Sequence, residues 1–178
     1  MEQAQVLTFL NNKDRDLLLQ FCGYSTTEPL HSFGPVVRPH YIIHFILNGK
    51  GIFQIREKTY HLETGQGFLI EPDELTFYQS DAQEPWEYLW IGFNGKMIPE
   101  FLKQIGLSSA HPIFHCDKKK ELYWLVNDML VHSKSNFSSD LRRTGLLYEF
   151  LSILALNPLE SDQQVDSEYM YILSLIHI

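Results

Sequence analysis

Two runs of β-branched and aromatic residues, 41–47 and 52–55, flank Asn48-Gly49-Lys50-Gly51 in the first half of the chain. Asn and Gly accept positive φ at little cost, so this pattern predicts two antiparallel strands joined by a tight hairpin. Shorter runs of the same kind follow. Residues 60–62 predict a strand, 63–67 a turn, 68–71 a strand stopped by Pro72-Asp73, and 75–79 and 86–93 two more. Upstream, 17–22 predict an early strand, 23–30 a loop, and Phe33-Gly34-Pro35 a turn. Short strands at this spacing, each closed by turn chemistry, predict an antiparallel barrel or sandwich that ends near Asn94-Gly95.

Beyond Gly95 the apolar period lengthens to that of a helix. Met97, Phe101 and Ile105 stand at i, i+4 and i+8, with Pro99 near the start and Gly106 just past the end, which predicts a short helix. From Asp117 as N-cap, Leu122, Leu125, Val126, Met129 and Leu130 form the apolar stripe of a second. Ser138-Ser139-Asp140 is expected to cap a third, ended by Asn157-Pro158. Leu147, Phe150, Leu151 and Leu154 would be its buried face, with Arg142 and Arg143 in water. Residues 158–167 are polar and acidic and predict a linker, and 168–178 begin a new apolar, helix-like run that stops without a C-cap.

Composition narrows the function classes. With 178 residues and 44 % hydrophobic content, the chain can bury one full core. A net charge of −8 without a basic cluster suits a phosphate backbone poorly. Lys118-Lys119-Lys120 is expected to be a solvated first helical turn. No basic segment followed by an apolar run opens the chain, and no apolar stretch approaches the ~20 residues of a membrane span. A cytoplasmic location without membrane contact is therefore expected. Cys22 and Cys116 are far apart and predict free thiols.

Strand alternation shows which side chains could share a face. Trp86, Tyr88 and Trp90 point one way, opposite Glu87, Leu89 and Ile91. Three rings at period two either fill a core or form a platform for a sugar, whose C–H faces stack on aromatic rings. Arg38, His40, Ile42 and His44 share a face by the same parity. Arg38 fits either an ion pair, for instance with Glu71, or a ligand contact, because a buried guanidinium needs a partner. His44 fits either a hydrogen-bonded core histidine or a ligand contact. His31, His40, His44 and His61 do not fall at spacings that converge on one ion, so no metal is expected. With no G-x-S-x-G, no Cys–His motif, no G-x-G-x-x-G and no P-loop, neither a catalytic residue nor a cofactor is expected.

In order and spacing, several segments resemble the N-terminal effector-binding and dimerisation domain of AraC-type transcription regulators, a cupin barrel. They are residues 33–41, the 41–51 segment with Asn48-Gly49-Lys50-Gly51, residues 60–62 and 65–72, Tyr78, and residues 85–95. The resemblance covers about residues 20 to 157 and is greatest to members governing sugar use, of the multiple-sugar or raffinose type. It implies a mostly β fold, a cupin-like (jelly-roll) antiparallel barrel over residues 1–95, followed by helices at 96–157 that pair two subunits. It also implies a carbohydrate effector inside the barrel, with Trp90 stacking on it, Tyr78 and Tyr88 in polar contact and Arg38 at the pocket. His40, His44, Glu71, Thr76 and Trp86 complete the candidate ligand-binding set. Metal-binding cupins place a histidine where Thr76 stands, which agrees with a metal-free pocket. Residues 168–178 resemble the truncated start of a helix-turn-helix unit, so DNA would be bound only through a missing domain. The expectation is a homodimeric, non-enzymatic sugar sensor; a metal-dependent cupin enzyme and a ligand-free dimerisation module are the alternatives.

Overall fold

Both faces of the central strand are apolar, and the architecture follows from burying each of them. In a computed structural model that describes residues 3–8 and 15–156, that strand is β4 (Tyr41–Asn48). Its odd positions Ile43, Phe45 and Leu47 pack into one core; Ile42 and Ile46 pack into another. Ten strands and three helices form among the described residues.

In chain order the other strands are β1 (Gln3–Thr8), β2 (Leu18–Thr26), β3 (Ser32–Val37), β5 (Lys50–Ile55), β6 (Lys58–Glu63), β7 (Gln66–Ile70), β8 (Leu75–Ser80), β9 (Glu87–Asn94) and β10 (Ile113–His115). A six-stranded sheet runs β1-β2-β9-β4-β7-β10 and a four-stranded sheet β3-β8-β5-β6. Between the two lies an interior rich in aromatic residues, with Ile42, Phe68 and Tyr88 from one sheet and Phe53, Ile55 and Tyr78 from the other. The outer face of the larger sheet carries α1 (Ile98–Ile105), α2 (Lys119–Val131) and α3 (Phe137–Ala155). This is the mostly β, cupin-like architecture with trailing helices that the resemblance implies, except that the β region does not end near Gly95: β10 pairs with β7 at the edge of the larger sheet.

The expected hairpin over residues 41–55 does not form. Both edges of β4 are taken, by β7 and β9, so β5 crosses to the other sheet and pairs with β6 and β8. Gly49 turns this corner at φ 82°, where a Cβ would lie 2.5 Å from the Pro85 carbonyl oxygen. The predicted loop at 23–30 is strand as far as Thr26, because Gly23 to Thr26 extend the ladders with both β1 and β9. Phe33-Gly34-Pro35 lies inside β3, where a register shift between Phe33 and Val36 makes an irregular strand rather than a turn.

The helices shift by small amounts. Ile98, Leu102 and Ile105 are the buried face of α1, while Met97 is its N-cap and Phe101 flanks it beside Tyr148. Gly106 closes α1 at φ 84°, as predicted. Lys118, not Asp117, occupies the N-cap of α2, and Lys119 Nζ donates to the Leu47 carbonyl oxygen at 3.0 Å. Asn136 caps α3, its Oδ1 accepting from the Ser139 N–H at 2.9 Å. Arg143 is the main correction, for it is buried rather than solvated. Its guanidinium donates to the carbonyls of His132 and Lys134, beyond the end of α2, and to Asp140. Cys22 and Cys116 are free and buried. No helix among the described residues is long and apolar enough to cross a membrane. Residues 157–178, with the expected linker and truncated helix, lie outside the described residues.

Candidate functional site

A cavity of about 420 Å³ opens between the two sheets, with β4, β8 and β9 supplying its aromatic and polar wall. Tyr88 and Trp90 enter from β9 with ring centroids 5.3 Å apart. Tyr78 enters from β8 and Ile42 and His44 from β4. Alternation puts Leu89 and Ile91 on the far side of β9, under the helices. Val6 and Thr8 of β1 also line the cavity.

Two stacks order the polar groups. Arg38 lies over Phe33, its Cζ 4.1 Å from the ring centroid, and Phe33 stacks on Tyr78 at 5.7 Å and 17°. The Arg38 cation is thus held over the face of the Phe33 ring. His44 stacks on Phe68 at 4.5 Å and 9°, with Tyr78 at 4.9 Å and Tyr88 at 5.6 Å. It is 3 % exposed. Burial, and after it the positive charge of Arg38, pushes the His44 pKa down to about 3, so the ring is neutral at ordinary pH. Its Nδ1 has no hydrogen-bond partner.

Of the candidate residues, Arg38, His44, Tyr78, Tyr88 and Trp90 come together around this space. The other four stand elsewhere. Trp86 is 1 % exposed within the inner core, its ring 5.9 Å from Tyr88 and its Nε1 unpartnered. Thr76 is buried on β8 but does not line the cavity. Glu71 accepts from the Ser109 N–H at 2.6 Å and from the Ser109 hydroxyl, tying β7 to the loop after α1 rather than pairing with Arg38. His40 Nδ1 contacts Asn94 Nδ2 at 2.9 Å and sets its ring edge-on to Phe21 at 5.7 Å.

Phe21, Phe33 and His31 line the cavity without having been candidates. A register shift between Leu19 and Phe21 re-aims Phe21, and Gly92 makes room for it, since a Cβ there would fall 2.2 Å from its ring. An aromatic residue facing a strand glycine was the available signal. Among the described residues no group of three His, Cys, Asp or Glu side chains is gathered as a metal site, and none lining the cavity is a carboxylate. The site offers flat rings for stacking, one guanidinium, the neutral imidazole of His44 and phenols, a set suited to a ligand rich in hydroxyl groups.

The AraC-like ligand-binding domain family matches residues 18–151. The chain belongs to this family. Among curated proteins it is 37 % identical over 143 residues to the Msm operon regulatory protein of Streptococcus mutans, covering 78 % of this chain and 50 % of that protein. It is 29 % identical over 141 residues to the lactose operon transcription activator of Staphylococcus xylosus, with the same shares, 78 % and 50 %. To the raffinose operon transcriptional regulatory protein of Pediococcus pentosaceus it is also 29 % identical, covering 70 % and 50 %. The chain therefore spans about half the length of the curated relatives it matches. Among solved structures, the YhaK protein of Escherichia coli matches with a TM-score of 0.46 at 14 % identity, over 53 % of this chain and 45 % of that one. A Cupin 2 conserved barrel domain protein of Salinispora arenicola matches with a TM-score of 0.43 at 14 % identity, over 58 % and 84 %.

Proposed function

We propose that this chain is the sensing half of a transcription regulator of carbohydrate use, that it binds a sugar between its sheets, and that it is not an enzyme. The observation that carries this reading is the cavity wall itself, with Tyr88 and Trp90 as stacking surfaces beside the polar groups of Arg38 and His44. Three relatives that are regulators of operons, two of them named for lactose and raffinose, support it. Tyr78 and Tyr88 supply hydroxyls to the sugar, and Trp90 stacks on it. His40 and Trp86 act one layer behind, His40 through Phe21. DNA is bound by the remaining half of the full-length protein. Two copies of this domain pair through the helices, where Phe101, Ile105, Tyr148, Leu151 and Ala155 border an apolar groove of about 210 Å³ between α1 and α3.

A thermal-shift screen against mono-, di- and trisaccharides, with and without a chelator, tests the reading. A sugar at ~100 times its Kd adds about 2.7 kcal/mol of stability, a rise of roughly 5–10 °C for a domain of this size. Trp90→Ala should abolish or cut that rise, by at least about tenfold in Kd, since stacking and burial of one large ring are lost. A melting temperature that responds to chelator and to no sugar would replace the sensor with a metal enzyme. No response to either would leave a dimerisation module.

A further inference from the structure

We propose that His44 selects the ligand. One hydroxyl of the bound carbohydrate reaches its Nδ1, which lies buried behind the cavity wall, as the surrounding rings adjust, and a sugar with a deoxy or ammonium group at that position is rejected. The inference rests on the sugar-sensor reading and adds a specificity-determining residue and its chemistry.

Three observations converge on this ring. His44 sits mid-strand in β4, opposite Phe68 of β7 and Trp90 of β9 in the ladder, so its direction is fixed from both sides. The stack on Phe68 and the neighbouring rings of Tyr78 and Tyr88 hold its orientation. It lines the cavity, yet is almost wholly buried and leaves Nδ1 without a partner. Buried ring nitrogens ordinarily find a hydrogen bond, and an unmet one is costly. Among the described residues the other orphaned buried atom, Trp86 Nε1, belongs to a side chain that does not border the cavity.

The chemistry then sets the ligand class. Burial and the neighbouring Arg38 both oppose protonation, so the ring presents one donor and one acceptor nitrogen rather than two donors. A hydroxyl can satisfy Nδ1 in either tautomer, because it both donates and accepts. An ammonium would meet the Arg38 charge with no carboxylate on the described lining to compensate it. A methylene would leave Nδ1 as it is now, unpaired. Sites built to hydrogen-bond a hydroxyl reject analogues lacking it far more strongly than apolar pockets reject a size change.

The test begins with the full chain and the saccharide that most raises its melting temperature. Affinities for that sugar and for its monodeoxy and amino analogues are measured by calorimetry with wild type, His44→Leu and His44→Asn. In wild type, one deoxy position should weaken binding by about 10- to 100-fold, the range expected for one buried hydrogen bond. In His44→Leu, that same position should cost less than about threefold, because the partner is already gone. His44→Asn, whose amide can place a polar atom near the Nδ1 position, should keep part of the discrimination. Histidine ¹⁵N spectra of wild type give a reading that needs no variant: the His44 Nδ1 resonance should move with the parent sugar and stay with the critical deoxy analogue. An unmoved resonance, or a His44→Leu variant that discriminates as wild type does, would overturn the role of His44. Wild type binding no saccharide at all would overturn the sensor reading itself.

Discussion

Acidification from about pH 7.5 to pH 5 should destabilise the protein through His44, and His44→Leu should remove that part of the loss. In the unfolded chain the imidazole titrates near its ordinary value of 6.5; in the folded protein burial, and secondarily Arg38, holds it at about 3. Between those values the unfolded state binds the extra proton and the folded state does not. Stability therefore falls as pH drops through the window and is complete above 6.5. At pH 5 the unfolded ring is about 1.5 pH units below its pKa, which corresponds to roughly 2 kcal/mol, or a melting-temperature loss of about 4–8 °C. Two carboxylates held low in the folded state do not confuse the measurement. Glu74, bonded by Arg56, and Asp81, bonded by the Glu84 and Gln83 N–H groups, give up their contributions only below their ordinary values of 4.5 and 3.8. Urea melts of wild type and His44→Leu at both pH values isolate the effect. The comparison is between slopes, so a fixed cost of the substitution cancels. Parallel losses in the two proteins would refute the assignment of a neutral, buried imidazole.

Three further outcomes follow from the packing. Arg143→Ala strands the carbonyls of His132 and Lys134 and the Asp140 carboxylate, and should cost about 2–4 kcal/mol in urea unfolding; a loss below about 0.5 kcal/mol would mean that the guanidinium is not the tie between α2 and α3. Gly92→Ala drives a methyl into the Phe21 ring, and should lower stability by about 1–3 kcal/mol, with Phe21→Leu restoring part of it; an additive double variant would refute the contact. Burial pushes the Cys22 thiol up to about 12, so it should resist thiol reagents at pH 8 until urea unfolds the chain, and rapid labelling of the native protein at Cys22 would contradict its burial.

Period-two alternation made the site partly readable. On β9 it correctly separated Tyr88 and Trp90 from Leu89 and Ile91, because a side chain's face depends only on local backbone geometry. Pairing is not local in that sense. Asn48-Gly49-Lys50-Gly51 carries ordinary hairpin chemistry, yet β4 gave its edges to β7 and β9, strands whose approach depends on the whole sheet. Arg143 was misread for a related reason. Its position on the helix says nothing of α2 ending within reach of its guanidinium. Phe21 escaped notice because a register shift in β2 redirects it, and Glu71 was expected at the pocket because nothing local reveals Ser109, 38 residues away, as its partner.

The same alternation binds the cavity to the helices. Leu89 and Ile91 sit one residue from Tyr88 and Trp90, and they share their core with Leu147, Phe150 and Leu154 of α3 and with Leu122 and Val126 of α2. His44 is likewise flanked by Ile43 and Phe45, which face that core. A ligand that displaces β4 or β9 displaces strands whose opposite faces are the floor on which both helices rest. Close-packed interiors pass such shifts on rather than absorb them. In a domain proposed to sense a sugar on one side of a sheet and to pair through helices on the other, β4 and β9 are the strands that border both the cavity and the helices.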